Sequence, residues 1–174
     1  FSKQPIKENY ILTGALEQTN DAYAIAKIAG IMMCKNYSKS YNLNYKCLMP
    51  SNMYGPNDNY DLQNSHFFPA LIRKIYEAKI SNKKTVKVWG SGKVLRELLY
   101  VEDFAEAVLF FMNKNIKEAF INIGTGKDFR IDWYVKFIMQ QLKVKLNIKY
   151  DKSKPDGVPR KLLDVSLAKK YGWK

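Results

Sequence analysis

Short apolar runs closed by proline or glycine alternate along this chain with longer segments of helical period, and that alternation limits the fold more than any other feature. From Asp21 to about Tyr41 the residues Ala22, Ile25, Ala26, Ala29, Met32, Met33 and Tyr37 recur at helical spacing, with Thr19, Asn20 or Asp21 available as the N-cap. Tyr45 to Met49 is a short run closed by Pro50 and followed by SNMYGPNDNYDLQNS, a loop in which Gly55 and Pro56 oppose regular structure. Phe67 to Ala78 predicts a helix that tolerates Pro69 in its first turn, and Thr85 to Trp89 a strand ended by Gly90. A strand at Glu97 to Val101, a helix from Glu102 to Met112 and a strand at Phe120 to Ile123 follow. The chain then predicts a helix from Ile131 to Leu142, a strand at Leu146 to Tyr150 and a short helix near Ser166 to Tyr171. Strands alternating with helices predict an α/β fold with a mainly parallel sheet.

Several function classes drop out on composition. Apolar residues make up 47% of 174 positions, enough for a substantial core. No run of about 18 apolar residues exists, so no membrane span is expected. The start FSKQPIKENY has no signal-peptide pattern, which makes a cytoplasmic setting the expectation. Two cysteines and one histidine cannot build a disulfide framework or a zinc site of ordinary spacing, so no metal is expected. The net charge of +13 would suit a polyanion, yet the lysines are scattered and no recognisable nucleic-acid module accompanies them. A solvated lysine-rich surface that also suits a small diphosphate ligand is the expectation, with no nucleic acid as partner.

A dinucleotide-binding fold announces itself with a glycine fingerprint between its first strand and first helix, because backbone amides must approach the pyrophosphate. Here Gly90-Ser91-Gly92 and Gly124-Thr125-Gly126 are lone pairs that read as strand-terminal turns.

Tyr23 and Lys27, in YAIAK, project from one helix face a turn apart. An ammonium beside a phenol stabilises the phenolate and eases movement of the phenolic proton near neutral pH, as a general acid for carbonyl reduction requires. In a chain with 12 tyrosines the spacing alone decides little, and its context carries more. YAIAKIAGI followed by YKCLMPSNMYGP resembles the active-site helix and following strand-loop of the extended short-chain dehydrogenase/reductases. The resemblance implies that Tyr23 is the proton donor at the reacting carbonyl, and that Lys27 holds the nicotinamide ribose and tunes the tyrosine. It also lays Pro50, Ser51, Asn52 and Met53 against the nicotinamide and the sugar.

PNDNYDLQNSHFFPALIRK, KVWGSGKVLRELLYVED and KPDGVPRKLLD are similar to the GDP-L-fucose synthase branch over nearly the whole chain. There the histidine of Asn-Ser-His is a catalytic acid beside the cofactor, which implies that role for His66, the single histidine. A 4-keto sugar acidifies the hydrogens on carbons 3 and 5, so an acid and a base on opposite ring faces can exchange a proton from one face to the other. The branch's cysteine base and its triad serine would fall just before Phe1. Cys34, within a helix, and Cys47, within an apolar strand, are not expected to replace that base. The resemblance further implies that Lys74, Trp89, Arg96, Arg160 and Lys161 approach the nucleotide diphosphate, with Asn52 and Asp156 as polar neighbours. Lys74 stands where members often carry arginine and Tyr100 where many carry histidine.

The resemblance thus implies the C-terminal part of a doubly wound Rossmann-type fold plus a small α/β substrate-binding domain. Residues 1–51 and 97–126 are expected in the dinucleotide-binding part, and 52–96 and 127–174 in the nucleotide-sugar part. The implied activity is NADPH-dependent 3,5-epimerisation and 4-reduction of a GDP-4-keto-6-deoxy-hexose, with NADP(H) as cofactor and a homodimer at full length. Action on a related GDP-sugar such as a deoxyheptose is the alternative, and a basic nucleic-acid-binding module the distant one. Without a preceding half, the chain is expected to bind cofactor poorly and to aggregate when alone.

Overall fold

Asp21–Tyr41 forms α1, whose ends agree with the capping pattern of the sequence. The computed structural model, which describes residues 2–173, puts Asn20 at the N-cap, and the Asp21 carboxylate accepts the Ala22 N–H at 2.6 Å. The Thr19 side chain lies outside the described residues. Asn42 ends the helix in the left-handed region at φ 53° and donates its N–H to the Ser38 carbonyl.

The face that α1 turns toward the chain differs from the sequence expectation. Ala24, Ile28, Ile31, Met32 and Ser38 form the shielded stripe, with Ile31 buried, whereas Ala22, Ile25, Ala26, Ala29, Met33 and Tyr37 are exposed. The helix is apolar on more than one side, so periodicity cannot say which side packs.

The chain divides into two compact units. The first takes the chain up to Met53, Glu97–Lys127 and the stretch from Leu162 onward. Here β1 (Leu48–Pro50) pairs in parallel with β5 (Ile121–Ile123), Leu48 opposite Ile121 and Pro50 opposite Ile123. With α3 (Val101–Met112) and α5 (Ser166–Lys170), this pair encloses a core of Leu99, Ala107, Phe111, Ile121, Ile123 and Ala168.

Buried Asn122 ties both ends of the chain to β5. Its N–H donates to Glu8 Oε1 at 3.0 Å, and its amide donates to Ile6 O at 2.9 Å and Asp164 O at 3.2 Å. Residues from 162 onward therefore pack with the first unit, not with the second as the 127–174 grouping predicts. The physical reason is this hydrogen-bonding together with Ala168, which is fully buried in the first unit's core.

The second unit takes Tyr54–Arg96 and Asp128–Lys161. In it β3 (Thr85–Trp89) pairs in parallel with β7 (Asn147–Asp151) from Thr85–Asn147 to Trp89–Asp151. Val86 and Val88 are buried and Thr85, Lys87 and Trp89 exposed, the two-residue alternation of a half-covered sheet. Helices α2 (Phe67–Ile80) and α4 (Ile131–Gln141) supply Leu71, Ile75, Tyr134, Val135 and Ile138 to the core. Leu95 and Arg96, which open β4 (Leu95–Tyr100), pair in parallel with Arg160 and Lys161 of β8. The short strand β2 (Asn52–Tyr54) lies where the sequence predicts loop, and β6 (Asp128–Arg130) in a stretch to which it assigns no element.

Candidate functional site

In the first unit the phenol and the amine expected to act together stand on α1, with Lys27 Nζ 5.5 Å from the Tyr23 ring centroid. Tyr23 is 60% exposed and Lys27 is exposed.

The segment after β1 is held by backbone and side-chain bonds. Pro50 is half-buried at the strand end, Ser51 N–H donates to Ile123 O at 2.9 Å, and Asn52 Nδ2 donates to Glu97 O at 3.0 Å. The Ser51 hydroxyl is buried without a hydrogen-bond partner, and Met53 is exposed.

Glu97, absent from the sequence-based site, is fully buried and organises the Gly124-Thr125-Gly126 turn. Its Oε1 accepts the Gly126 N–H at 2.7 Å and the Thr125 hydroxyl at 3.3 Å, and its Oε2 accepts the Leu163 N–H at 2.9 Å. A side chain at Gly124 would collide with the same carboxylate. The only warning in the sequence was a carboxylate in the apolar string RELLYV.

The cysteines also meet in this unit. Burial, reinforced by a hydrogen bond with Cys34, pushes the Cys47 thiol up to about 11. A thiol held protonated at neutral pH is a poor base.

The second unit contains a cavity of about 240 Å³ whose lining includes Lys74, Trp89, Arg96 and Asp156, with Leu71 and Val88 beneath. Four of the residues singled out in the sequence thus come together from α2, the end of β3, the start of β4 and the loop before β8. Arg160 and Lys161 are outside the lining, and Asn52 belongs to the first unit. Arg160 grips Asp128 with both prongs, Nε at 2.6 Å and Nη2 at 3.0 Å, and that bond holds its guanidinium above the ordinary value. His66 is exposed at the N-cap of α2; its neighbours Ser65 and Phe67 line the cavity, and His66 does not.

Close packing of the loop against the β3 turn shapes this cavity. Gly90 has φ 76°, and a Cβ there would run into the Asp156 carboxylate, which accepts the Ser91 N–H at 2.6 Å. Arg96 donates to Leu95 O at 2.8 Å, Val158 O at 2.7 Å and Asp156 O at 3.2 Å. Burial lowers Arg96 from its ordinary value against the opposing charge of Asp156, and burial alone lowers Lys74.

Hydrogen bonds from Ser91 and then the Arg96 charge hold the Asp156 carboxyl below the usual carboxylate range. Such a group contributes fully above its unfolded value, near 4, and loses that contribution as pH falls through the lower folded value. Hydrogen-exchange protection of the Ser91 amide should therefore fade only on the acid side of that range. In Asp156→Asn it should be reduced already at pH 7; undiminished protection there would refute the carboxylate's role.

Comparison with known proteins adds the family. The model of the NAD dependent epimerase/dehydratase family matches residues 2–124. The chain belongs to that family. Among curated relatives of this epimerase/dehydratase chain, a probable GDP-L-fucose synthase 1 of Oryza sativa subsp. japonica is 45% identical over all of the chain and 53% of its own length. A GDP-L-fucose synthase of Escherichia coli K12 is 44% identical over 99% of the chain and 57% of its own length. The chain spans about half the length of the curated relatives it matches. A solved GDP-L-fucose synthetase from Naegleria fowleri superposes with TM-score 0.88 at 28% identity, covering 98% of this chain and 54% of that one. A GDP-6-OMe-4-keto-L-xylo-heptose reductase from C. jejuni also gives 0.88, at 31% identity, covering 99% and 61%.

Proposed function

We propose that this chain supplies the proton-transfer residues and the nucleotide-sugar cavity of an NADPH-dependent enzyme that epimerises at carbons 3 and 5, and reduces at carbon 4, a GDP-4-keto-6-deoxy-hexose, giving GDP-L-fucose. The observation carrying the reading is the cavity that gathers Lys74, Trp89, Arg96 and Asp156 from four separate elements. Its cations suit a diphosphate and its indole suits a base or sugar ring. The first unit is assigned to the dinucleotide and the second to the nucleotide-sugar. The exposed apolar face of α1 supports a homodimer of the full-length protein.

The residues present fit the nicotinamide end of such a cofactor: an exposed phenol and ammonium on α1, and the unpartnered hydroxyl of Ser51. An NADP-bound form is known for the N. fowleri relative, at TM-score 0.88. When bound, the cofactor supplies hydride. Lys27 would hold the ribose, with the 50–53 segment against the ring. Tyr23 Oη would give its proton to the carbonyl oxygen at carbon 4 while the Lys27 ammonium stabilises the phenolate left behind. His66 would return the proton in epimerisation.

His66→Asn in the full-length protein tests the division of labour. Epimerised product should fall by about 10²–10⁴-fold, the usual worth of a general acid, while reduction of the unepimerised ketone persists. Undiminished epimerisation would remove His66 from the mechanism.

Likeness to heptose enzymes favours one second reading. A GDP-heptose reductase and a GDP-heptose synthase of C. jejuni superpose as well as the fucose synthetase does. NMR of the products from a hexose and a heptose substrate separates the two.

A further inference from the structure

Arg96 lines the cavity from the start of β4 with its charge intact. Three of its guanidinium N–H groups go to the carbonyls of Leu95, Val158 and Asp156, which leaves two of the five for a ligand. A planar fork grips a phosphate well only when the backbone that carries it is held still, and the first turn of α4 does the holding. The Asp132 N–H donates to Gly92 O at 2.9 Å and the Ile131 N–H to Val94 O at 3.1 Å. The Tyr134 hydroxyl donates to Arg96 O at 2.9 Å. The carbonyls of Gly92, Val94 and Arg96 thus all meet one helical turn, and these three residues line the cavity together with Ile131. Two of the three bonds come from backbone amides that almost any sequence would offer. The third exists only because residue 134 is a tyrosine.

We propose that Tyr134 is a positioning residue of this cavity: its hydroxyl fixes the Arg96 backbone, and its ring packs against the first turn of α2. The proposal rests on the nucleoside-diphosphate reading above. Tyr134 is 5% exposed, and a phenol buried among aromatic rings needs a polar partner, which the Arg96 carbonyl provides. The ring centroids of Phe67, Phe68, Phe129 and Trp133 stand 5.8, 5.7, 6.0 and 5.3 Å from that of Tyr134, all tilted or edge-on. Phe67 itself lines the cavity, as does Ser65, with His66 between them in sequence. One buried side chain therefore touches two walls, the start of β4 at its polar tip and the start of α2 at its ring. Removing the hydroxyl takes this donor from the Arg96 carbonyl and lets the peptide relax. The guanidinium is then carried off the line along which it meets a phosphate oxygen.

The test is calorimetric titration of the full-length protein with GDP. Tyr134→Phe keeps the ring packing and removes the hydroxyl alone. GDP should then bind about fivefold more weakly, somewhat less than the loss of a whole charge-assisted hydrogen bond, and the KM for the keto sugar should rise in step with kcat nearly unchanged. Ile138→Val, a core change on the same helix outside the cavity lining, should lower the unfolding midpoint comparably and leave GDP affinity as it is. In an Arg96→Lys background the flexible ammonium depends little on where the carbonyl sits, so adding Tyr134→Phe should weaken GDP by less than about twofold. Unchanged GDP affinity in Tyr134→Phe overturns the proposal and leaves the GDP-sugar reading intact. So does a fivefold loss that persists in full beside Arg96→Lys, or an equal loss in Ile138→Val, since either makes the effect a general loosening. Wild-type protein that binds no GDP, or prefers UDP, brings down the underlying reading and this proposal with it.

Discussion

Tyr23→Phe in the full-length protein should reduce NADPH-dependent turnover of the 4-keto sugar by about 10²–10⁴-fold, the loss of one general acid. The substitution removes a hydroxyl from a side chain that is 60% exposed on α1. Folding should therefore be undisturbed, and the effect should appear in kcat with little change in the binding of substrate. Lys27→Met should raise the KM for NADPH, because the ammonium beside Tyr23 is the group assigned to the nicotinamide ribose. NADPH oxidation followed over a range of NADPH concentrations measures both. A Tyr23→Phe enzyme with full turnover would assign the proton to another group.

Glu97→Gln should be the most destabilising conservative change in the first unit, by about 2–3 kcal/mol. Glutamine keeps the shape but turns one acceptor into a donor. In either flip, its NH₂ faces the N–H of Gly126 or that of Leu163, where the carboxylate accepts both. The residue is fully buried, so the mismatched N–H groups face each other away from bulk water. Chemical denaturation followed by tyrosine and tryptophan fluorescence should record the loss. A variant as stable as the wild type would mean that the turn at Gly124–Gly126 is held by other contacts.

The fold was largely readable because its elements carry strong local signals. The 21-residue helix announced its start by its N-cap candidates and its length by apolar spacing, and the Thr85–Trp89 run marked β3. The strands missed, β2, β6 and β8, have two or three residues, too few for any period to show. The inward side of α1 was misread because Ile25, Met33 and Tyr37 are as apolar as Ile28, Ile31 and Met32, and only packing chooses between them.

For the cavity, the motif strings named Lys74, Trp89, Arg96 and Asp156, and the structure adds what strings cannot carry. That Arg96 donates to the Asp156 and Val158 carbonyls and Arg160 to Asp128 depends on distances across more than 30 residues of chain. The Lys154 ammonium over the Trp89 ring is a contact of the same kind. Glu97 and the Cys34–Cys47 contact belong to the same class, pairs made by folding alone.

The stitching of Asn122 to Ile6, Glu8 and Asp164 bears on how the molecule is made. As the polypeptide leaves the ribosome, the first unit has Ile6 and Glu8 before Asp164 and Ala168, and must wait for the latter two to close its core. The second unit, whose segments both precede Leu162, can condense during that interval. The second unit should thus fold first, and the first should close its core only once Asp164 and Ala168 are available.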